Sequence, residues 1–302
     1  MSWLFFAFCG PVLWAASTHL DKYLVERFFK HSDVAVLVVF TALIGVLALP
    51  LIASYEPTIG HYDIGSIALI VLSGILYMGA MLFYLRALQT EEASVVSPFF
   101  QAAPLFGYVL GYVVLGETLS PLQMAGGGLI LAGTLIVSVR FDENFRVFKL
   151  RLALLMLACG LALALSALIF KIFALQVDFW ATTFWMFVGE AVFGLALLMI
   201  PAYLRQFLAV LQANTRALLT ISGSNELINL GGALGSRYAL LFAPLSIVQA
   251  IGGTTTLFVF AFGVAVSVLW PRLARETLSL RELLQKGAAA LCVAVGVALI
   301  AR

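Results

Sequence analysis

The sequence predicts an all-α integral membrane protein: ten transmembrane helices arranged as two inverted five-helix repeats, residues 1–150 and 151–302. Three observations predict it. The composition suits lipid rather than water as solvent. Ten separate windows are long and apolar enough to span a bilayer. The later five windows echo the marked residues of the first five in the same order.

Composition excludes most other classes. Hydrophobic residues make up 63% of the chain and charged residues 11%, and the mean hydropathy is +1.08. A soluble domain sits near ~45–50% apolar and ~25% charged, and a water-soluble globule of this length has too little core to hide the excess. Disorder and a secreted disulfide scaffold are ruled out. The net charge of +2 and the lack of any long basic stretch exclude nucleic acid as a partner. Membrane lipid is the partner expected. Cys9, Cys159 and Cys292 lie inside apolar runs, with no CxxC spacing and no clustered histidines; they read as packing residues, with no metal and no disulfide. The N-terminus turns apolar at Trp3 with no preceding Lys or Arg. A cleavable signal wants a positive start, so the first segment reads as a retained helix.

A helix needs ~20 mostly apolar residues to cross ~30 Å of hydrocarbon. Windows of that kind fall at 3–20, 34–53, 64–86, 95–115, 122–139, 152–175, 181–200, 217–239, 245–269 and 284–301. Strand-like alternation is absent, which argues against a barrel. A lipid-exposed backbone must pair internally, leaving a helical bundle. The connecting segments are short, the longest being 21–33, 140–151, 201–216 and 270–283, so binding or chemistry belongs within the helices or at their mouths. Loops after odd-numbered spans hold fourteen Lys and Arg residues, against three elsewhere. The positive-inside rule then puts both termini outside the cytoplasm of a multi-pass protein in the cell (plasma or inner) membrane.

The halves repeat. Cys9-Gly10 recurs as Cys159-Gly160, Lys22 as Lys171, Arg86 as Arg237, and Glu117-Thr118-Leu119-Ser120 as Glu276-Thr277-Leu278-Ser279. A repeat of five helices is odd, so its second copy enters the bilayer upside down. Such a pair is the architecture of alternating-access carriers, with the site near the midplane between the halves.

The chain resembles the EamA-type drug/metabolite transporter superfamily. The resemblance rests on Trp14 and Lys22 eight residues apart, on Ala93-Ser94-Val95, Pro104 and Gly116-Glu117 around the fourth span, and on Gln123 and Gly126 in the fifth; the second copy is looser, with Ala243-Pro244-Leu245 and Glu276. It implies ten helices in two repeats, a secondary transporter of small metabolites that is often an exporter, no enzymatic activity, and a role for Trp14 in the transport path. Relatives usually keep both termini cytoplasmic, the reverse of the charge count. Small multidrug relatives rely on a Glu in the first helix, and the first span here has none.

Ionisable groups at mid-bilayer cost ~2.5–3.5 kcal/mol on insertion scales and mark pathways or pairs. Glu190 and Glu226 both fall near mid-span. Ser222, Asn225, Glu226 and Asn229 repeat at three and four and share one helical face, followed by Gly231, Gly232 and Gly235 for close backbone approach or local unwinding. A desolvated Glu titrates nearer neutrality and can load and release a proton; the alternative is a pair with Lys171 or Arg237 that holds helices together. Ser97, Gln101, Pro104, Tyr108 and Tyr112 share a face of the fourth span. Gln249, Gly252, Gly253 and Thr256 match them in the ninth, and interrupted helices at equivalent places point to a binding site. Tyr77 and Tyr84 are candidates to wall it. Lys22 and Lys171 are candidates to meet an anionic solute at opposite ends; local pairing, such as Asp21 with Lys22, is the other reading. Glu117 and Glu276 read as helix N-terminal partners. Ala290, Ala294 and Ala298, with Gly128 and Ala132, read as packing within the bundle.

The function expected is a secondary transporter, an exporter in the manner the resemblance implies, of a small polar or amphipathic metabolite. It works by alternating access with proton coupling or exchange, and with no cofactor. No nucleotide-binding loop is present. A lipid or lipid-carrier translocator is the alternative of the same fold. A membrane-embedded enzyme on a lipid-linked substrate is the alternative of another class. It would need paired Asp, a metal cluster or a Ser-His arrangement, whereas His19, His31 and His61 are scattered.

Overall fold

A computed structural model describes residues 2–27, 32–90, 102–138, 150–269 and 280–300. These residues form helices and connecting turns, with no strand among them. The helices are Ser2–Arg27 (α1), Val34–Ile44 (α2), Leu49–Tyr55 (α3), Ile64–Thr90 (α4), Ala102–Leu115 (α5), Pro121–Ser138 (α6), Leu150–Gln176 (α7), Phe179–Leu198 (α8), Pro201–Ala239 (α9), Leu245–Gly252 (α10), Thr255–Leu269 (α11) and Leu280–Ile300 (α12). Where a sequence window falls on described residues, it falls on these helices except at 45–48, 199–200 and 253–254. Five stretches are long and apolar enough to cross a membrane: Val34–Tyr55, Ile64–Ala87, Leu152–Gln176, Phe179–Leu198 and Leu245–Gly263. Trp3–Thr18, Ala102–Leu115, Pro121–Ile136 and Gly287–Ile300 are apolar but shorter.

Local chemistry sets the helix ends. The carboxylate of Asp178 accepts from the Trp180 and Ala181 amides and starts α8. Asp63 does the same for α4 through Gly65 and Ser66. Ser120 and Gln123 bond reciprocally across the first turn of α6, satisfying two amides that a bare helix start leaves unpaired. Between α2 and α3 the chain tightens into a 3-10 turn, Gly45–Ala48. Pro50 explains it: proline lacks an N–H and its ring clashes with the carbonyl four residues back.

The segment 201–216, expected as a connection, is instead helical and continuous with the following span in the 39-residue α9. The helix bends. Phe40 packs on Phe207 with ring centroids 4.7 Å apart, while the next residue, Thr41, bonds to Glu226. An unbent helix would set positions 207 and 226 about 28 Å apart, beyond the reach of two neighbouring residues of α2. The segment helicises because Phe207, Val210 and Leu211 present one apolar face to Leu24, Val36, Leu37 and Phe40. Likewise α1 runs on to Arg27, past the predicted end of the first span.

Glycines set the closest helix contacts. A Cβ at Gly189 would lie 2.0 Å from the Val71 carbonyl oxygen, and one at Gly74 would lie 2.1 Å from that of Met186, so α4 and α8 touch backbone to backbone. The α1–α9 seam uses Gly10, Gly232 and Gly235, the last 2.5 Å from Cys9 Cβ by the same measure. Of the two readings of that glycine run, close approach holds, because α9 stays helical through it. In the α6–α12 pair, Gly126 and Gly296 each face the other's carbonyl at 2.6 Å. The alanine stripe Ala290, Ala294 and Ala298 and its neighbours Gly128 and Ala132 are exposed. The expectation that they pack within the bundle is corrected: the row one position away, Ala289, Val293 and Gly296, does so.

Candidate functional site

Among the described residues, buried charged side chains form three groupings between the apolar helices. The first is built on α9, where Ser222, Asn225 and Glu226 are buried and Asn229 is half-buried. A helix brings residues three and four apart onto one face, so the sequence spacing alone assembles this row. Thr41 on α2 donates its hydroxyl to Glu226 Oε1 at 2.8 Å, and the Asn229 amide lies 3.4 Å from Oε2. Both donors are neutral. Ser222 Oγ is buried with no hydrogen-bond partner among the described residues. Sequence reasoning missed Thr41; its one signal is a hydroxyl inside the otherwise apolar run of α2.

The second grouping joins α8 and α9. Arg237 donates from Nη2 to Glu190 Oε1 at 2.7 Å, and both side chains are more than nine-tenths buried. The guanidinium sits among three rings, with its carbon 5.3 Å from the centre of Tyr77, 5.8 Å from Phe170 and 5.4 Å from Phe187. Cation–π attraction strengthens when both partners are desolvated, so the aromatic walls offset part of the cost of burying the charge. Nη1 has no partner among the described residues. Glu190 was read from the sequence either as a transport group or as half of an ion pair with Arg237 or Lys171; geometrically it pairs with Arg237. The tight Gly74–Gly189 contact fixes its backbone, since a Cβ at Gly74 would lie 2.8 Å from the Glu190 amide. Gly45, in the 3-10 turn, faces Glu190 Oε2. Of the two tyrosines proposed as walls, Tyr77 meets this pair, whereas Tyr84 is half-buried where α4 packs on α7.

The third grouping lies around the turns that follow α5, α7 and α9. Lys171 on α7 is bonded to Glu117 Oε1 and donates to the Ala243 carbonyl at 2.6 Å. Glu117 Oε2 accepts from the Leu245 amide at 2.9 Å, the first residue of α10. The expected role of Glu117 at a helix N-terminus is therefore seen, but on α10 rather than on α6, which it precedes in sequence. Gly116 ends α5 with φ +65°, a left-handed backbone that costs a non-glycine residue about 1–2 kcal/mol. This turn sends Glu117 back along α5, over Gly111, where a Cβ would lie 2.5 Å from its carboxylate oxygen.

The remaining candidates are spread. Gln249 is half-buried on α10 and covers Gly107; its Oε1 is buried without a hydrogen-bond partner among the described residues. The ninth span is interrupted after it: α10 ends at Gly252, α11 begins at Thr255, and Thr254 and Thr255 return their hydroxyls to the Ile251 and Gly252 carbonyls. Pro104 is buried on α5, with Gly107 and Gly111. Tyr108 and Tyr112, expected on the site face of that helix, are exposed, and Gly107 and Gly111 point inward instead. Trp14 is half-buried against Gly10 and Gly232 in the α1–α9 seam. Gln101 and the side chain of Lys22 lie outside the described residues.

Apolar membrane-length helices with charged groups buried between them define a multi-pass membrane protein. Residues 1–139 match the EamA-like transporter family. Over that stretch the resemblance read from Trp14, Lys22, Pro104 and Gly116-Glu117 is borne out. No curated protein matches the chain. One solved structure, described only as "Crystal structure of protein", shares the fold at a TM-score of 0.71 and 14% identity, covering 99% of this chain and 96% of that one. At that identity the likeness is one of fold.

Proposed function

We propose that the protein is a secondary transporter, exporting a small polar or amphipathic metabolite by alternating access between two inverted five-helix halves, 1–150 and 151–302. Glu226 carries the coupling proton. The observation that carries this reading is the placement of Glu226: buried partway along α9, where that helix packs on α2, with Thr41 and Asn229 donating to its carboxylate. A buried carboxyl at a contact between elements that move against each other is placed to exchange a proton as its surroundings change.

The packing supports the paired-halves reading. Let α1 correspond to α7, α2 to α8, α4 to α9, α5 to α10–α11, and α6 to α12. The contact of α1 with α9 then maps onto that of α7 with α4, and α4 with α8 maps onto α9 with α2. The contact of α1 with α11 maps onto that of α7 with α5, and the pairs α6–α12, α5–α10 and α2–α8 map onto themselves. At the repeat's spacing, Glu190 corresponds to the stretch around Thr41 and Glu226 to that around Tyr77. Neither carboxylate has an acidic counterpart. They are additions to a duplicated scaffold, as a site is expected to be. Asn225, Asn229 and Gln249 line the solute path beside Glu226, with Gln101 and Trp14 as sequence-based members; Glu190 and Arg237 hold its wall.

Thermal-shift screening of purified protein against a metabolite panel names the solute, and proteoliposome uptake then tests the mechanism. Glu226→Gln is expected to keep the fold while abolishing transport or flattening its pH dependence. Normal transport by this variant across pH would make the carboxylate structural.

A further inference from the structure

We propose that Lys171, Glu117 and the α9–α10 turn form a charged latch. It seals one mouth of the bundle and must break for that mouth to open. This rests on the alternating-access reading above.

Four features point to it. Lys171 is more than nine-tenths buried, and its ammonium ties the Glu117 carboxylate to the Ala243 carbonyl. The second Glu117 oxygen holds the α10 N-terminus through Leu245. The latch therefore joins an element of the first half, the α5 end, to two of the second, α7 and the α9–α10 turn. The backbone is shaped for it: left-handed Gly116 turns Glu117 inward, and Gly111 leaves room for the carboxylate. The closure continues inward, where Gly107 on α5 is covered by the Gln249 side chain. Finally, the two charged members are residues that the sequence duplicates, as Lys22 and Glu276. The inverted repeat thus offers the same residue types to the other mouth, and a carrier needs a seal for each.

The chemistry suits a reversible seal. Breaking the pair inside lipid strands two charges, but at the mouth an opening latch delivers both to water. Solvation then offsets the lost Coulomb attraction. Arg237, in the last turn of α9, instead reaches inward to Glu190 at the middle of α8, where three aromatic rings wall it, and that pair is suited to staying closed.

The test is the distance between spin labels at Thr118 and Phe242, both exposed and adjacent to latch residues. It is measured in vesicles on protein whose Cys9, Cys159 and Cys292 are replaced by alanine. A second label pair at Leu135 and Leu208, exposed at the other end of the bundle, reports reciprocity. The unmodified latch is expected to give one short Thr118–Phe242 distance. Glu117→Gln and Lys171→Met are expected each to add a longer population at least threefold larger than any in the parent, and Lys171→Arg to restore the short one. An unchanged distance in both neutral variants, with helical content intact, overturns the latch and leaves the transport reading to the Glu226 assay. A longer Thr118–Phe242 distance with no change at Leu135–Leu208 supports the latch and counts against alternating access.

Discussion

Arg237 meets Glu190 through a single nitrogen, Nη2, at 2.7 Å, leaving Nη1 buried and unpartnered among the described residues. A side-on contact of this kind is weaker than the two-pronged Arg–carboxylate fork. Its strength comes instead from where it sits, away from water and walled by Tyr77, Phe170 and Phe187.

Removing one member therefore strands the other. Glu190→Gln or Arg237→Met alone is expected to destabilise the protein by about 3–5 kcal/mol. The double variant, which leaves no lone charge, is expected to recover most of that loss. Thermal unfolding of the four proteins in one detergent gives the cycle. Additive losses in the double variant would show that the two groups do not act as a pair.

Backbone contact between α4 and α8 sets the position of Glu190. Gly189→Ala places a methyl 2.0 Å from the Val71 oxygen, and overpacking of this kind costs about 1–3 kcal/mol. Gly128→Ala meets nothing within 4 Å and is expected to leave the melting temperature unchanged or raise it slightly, because alanine favours helix over glycine. Equal melting temperatures for the two variants would contradict the close approach.

Asp63 gives a pH-dependent contribution outside the spans. The Ser66 hydroxyl, then the Ser66 and Gly65 amides, hold its carboxyl below the usual carboxylate range. A depressed folded-state pKa adds stability above the unfolded value of about 3.9, and this is lost as pH falls through the folded value. Asp63→Ala is thus expected to melt lower than the parent at pH 7, with the gap closing below about pH 4. A gap independent of pH would assign the effect to something other than this charge.

The sequence was a good guide wherever periodicity and hydropathy decide structure. The apolar windows fell on helices, and the Ser222–Asn229 row emerged from spacing alone because helical geometry leaves it no other arrangement. It was a poor guide where tertiary contact decides. Segment 201–216 has the polar content of a loop, and only Phe40 and its neighbours, distant in sequence, give its apolar side something to bury against. Tyr108 and Tyr112 share helical spacing with inward positions, yet the face of α5 that turns inward is chosen by Gly107 and Gly111, which admit Gln249 and Glu117 from elsewhere. Thr41 illustrates a third limit: one hydroxyl in an apolar span gains meaning only from the carboxylate opposite it.

Proton movement coupled to the solute tests the central claim most directly. Proteoliposomes loaded with a pH-sensitive dye, given an outward gradient of the solute found by thermal shift, are expected to acidify or alkalinise their lumen with the wild-type protein. With Glu226→Gln they are expected to show no such change. Proton movement by Glu226→Gln equal to that of the wild type would contradict the account.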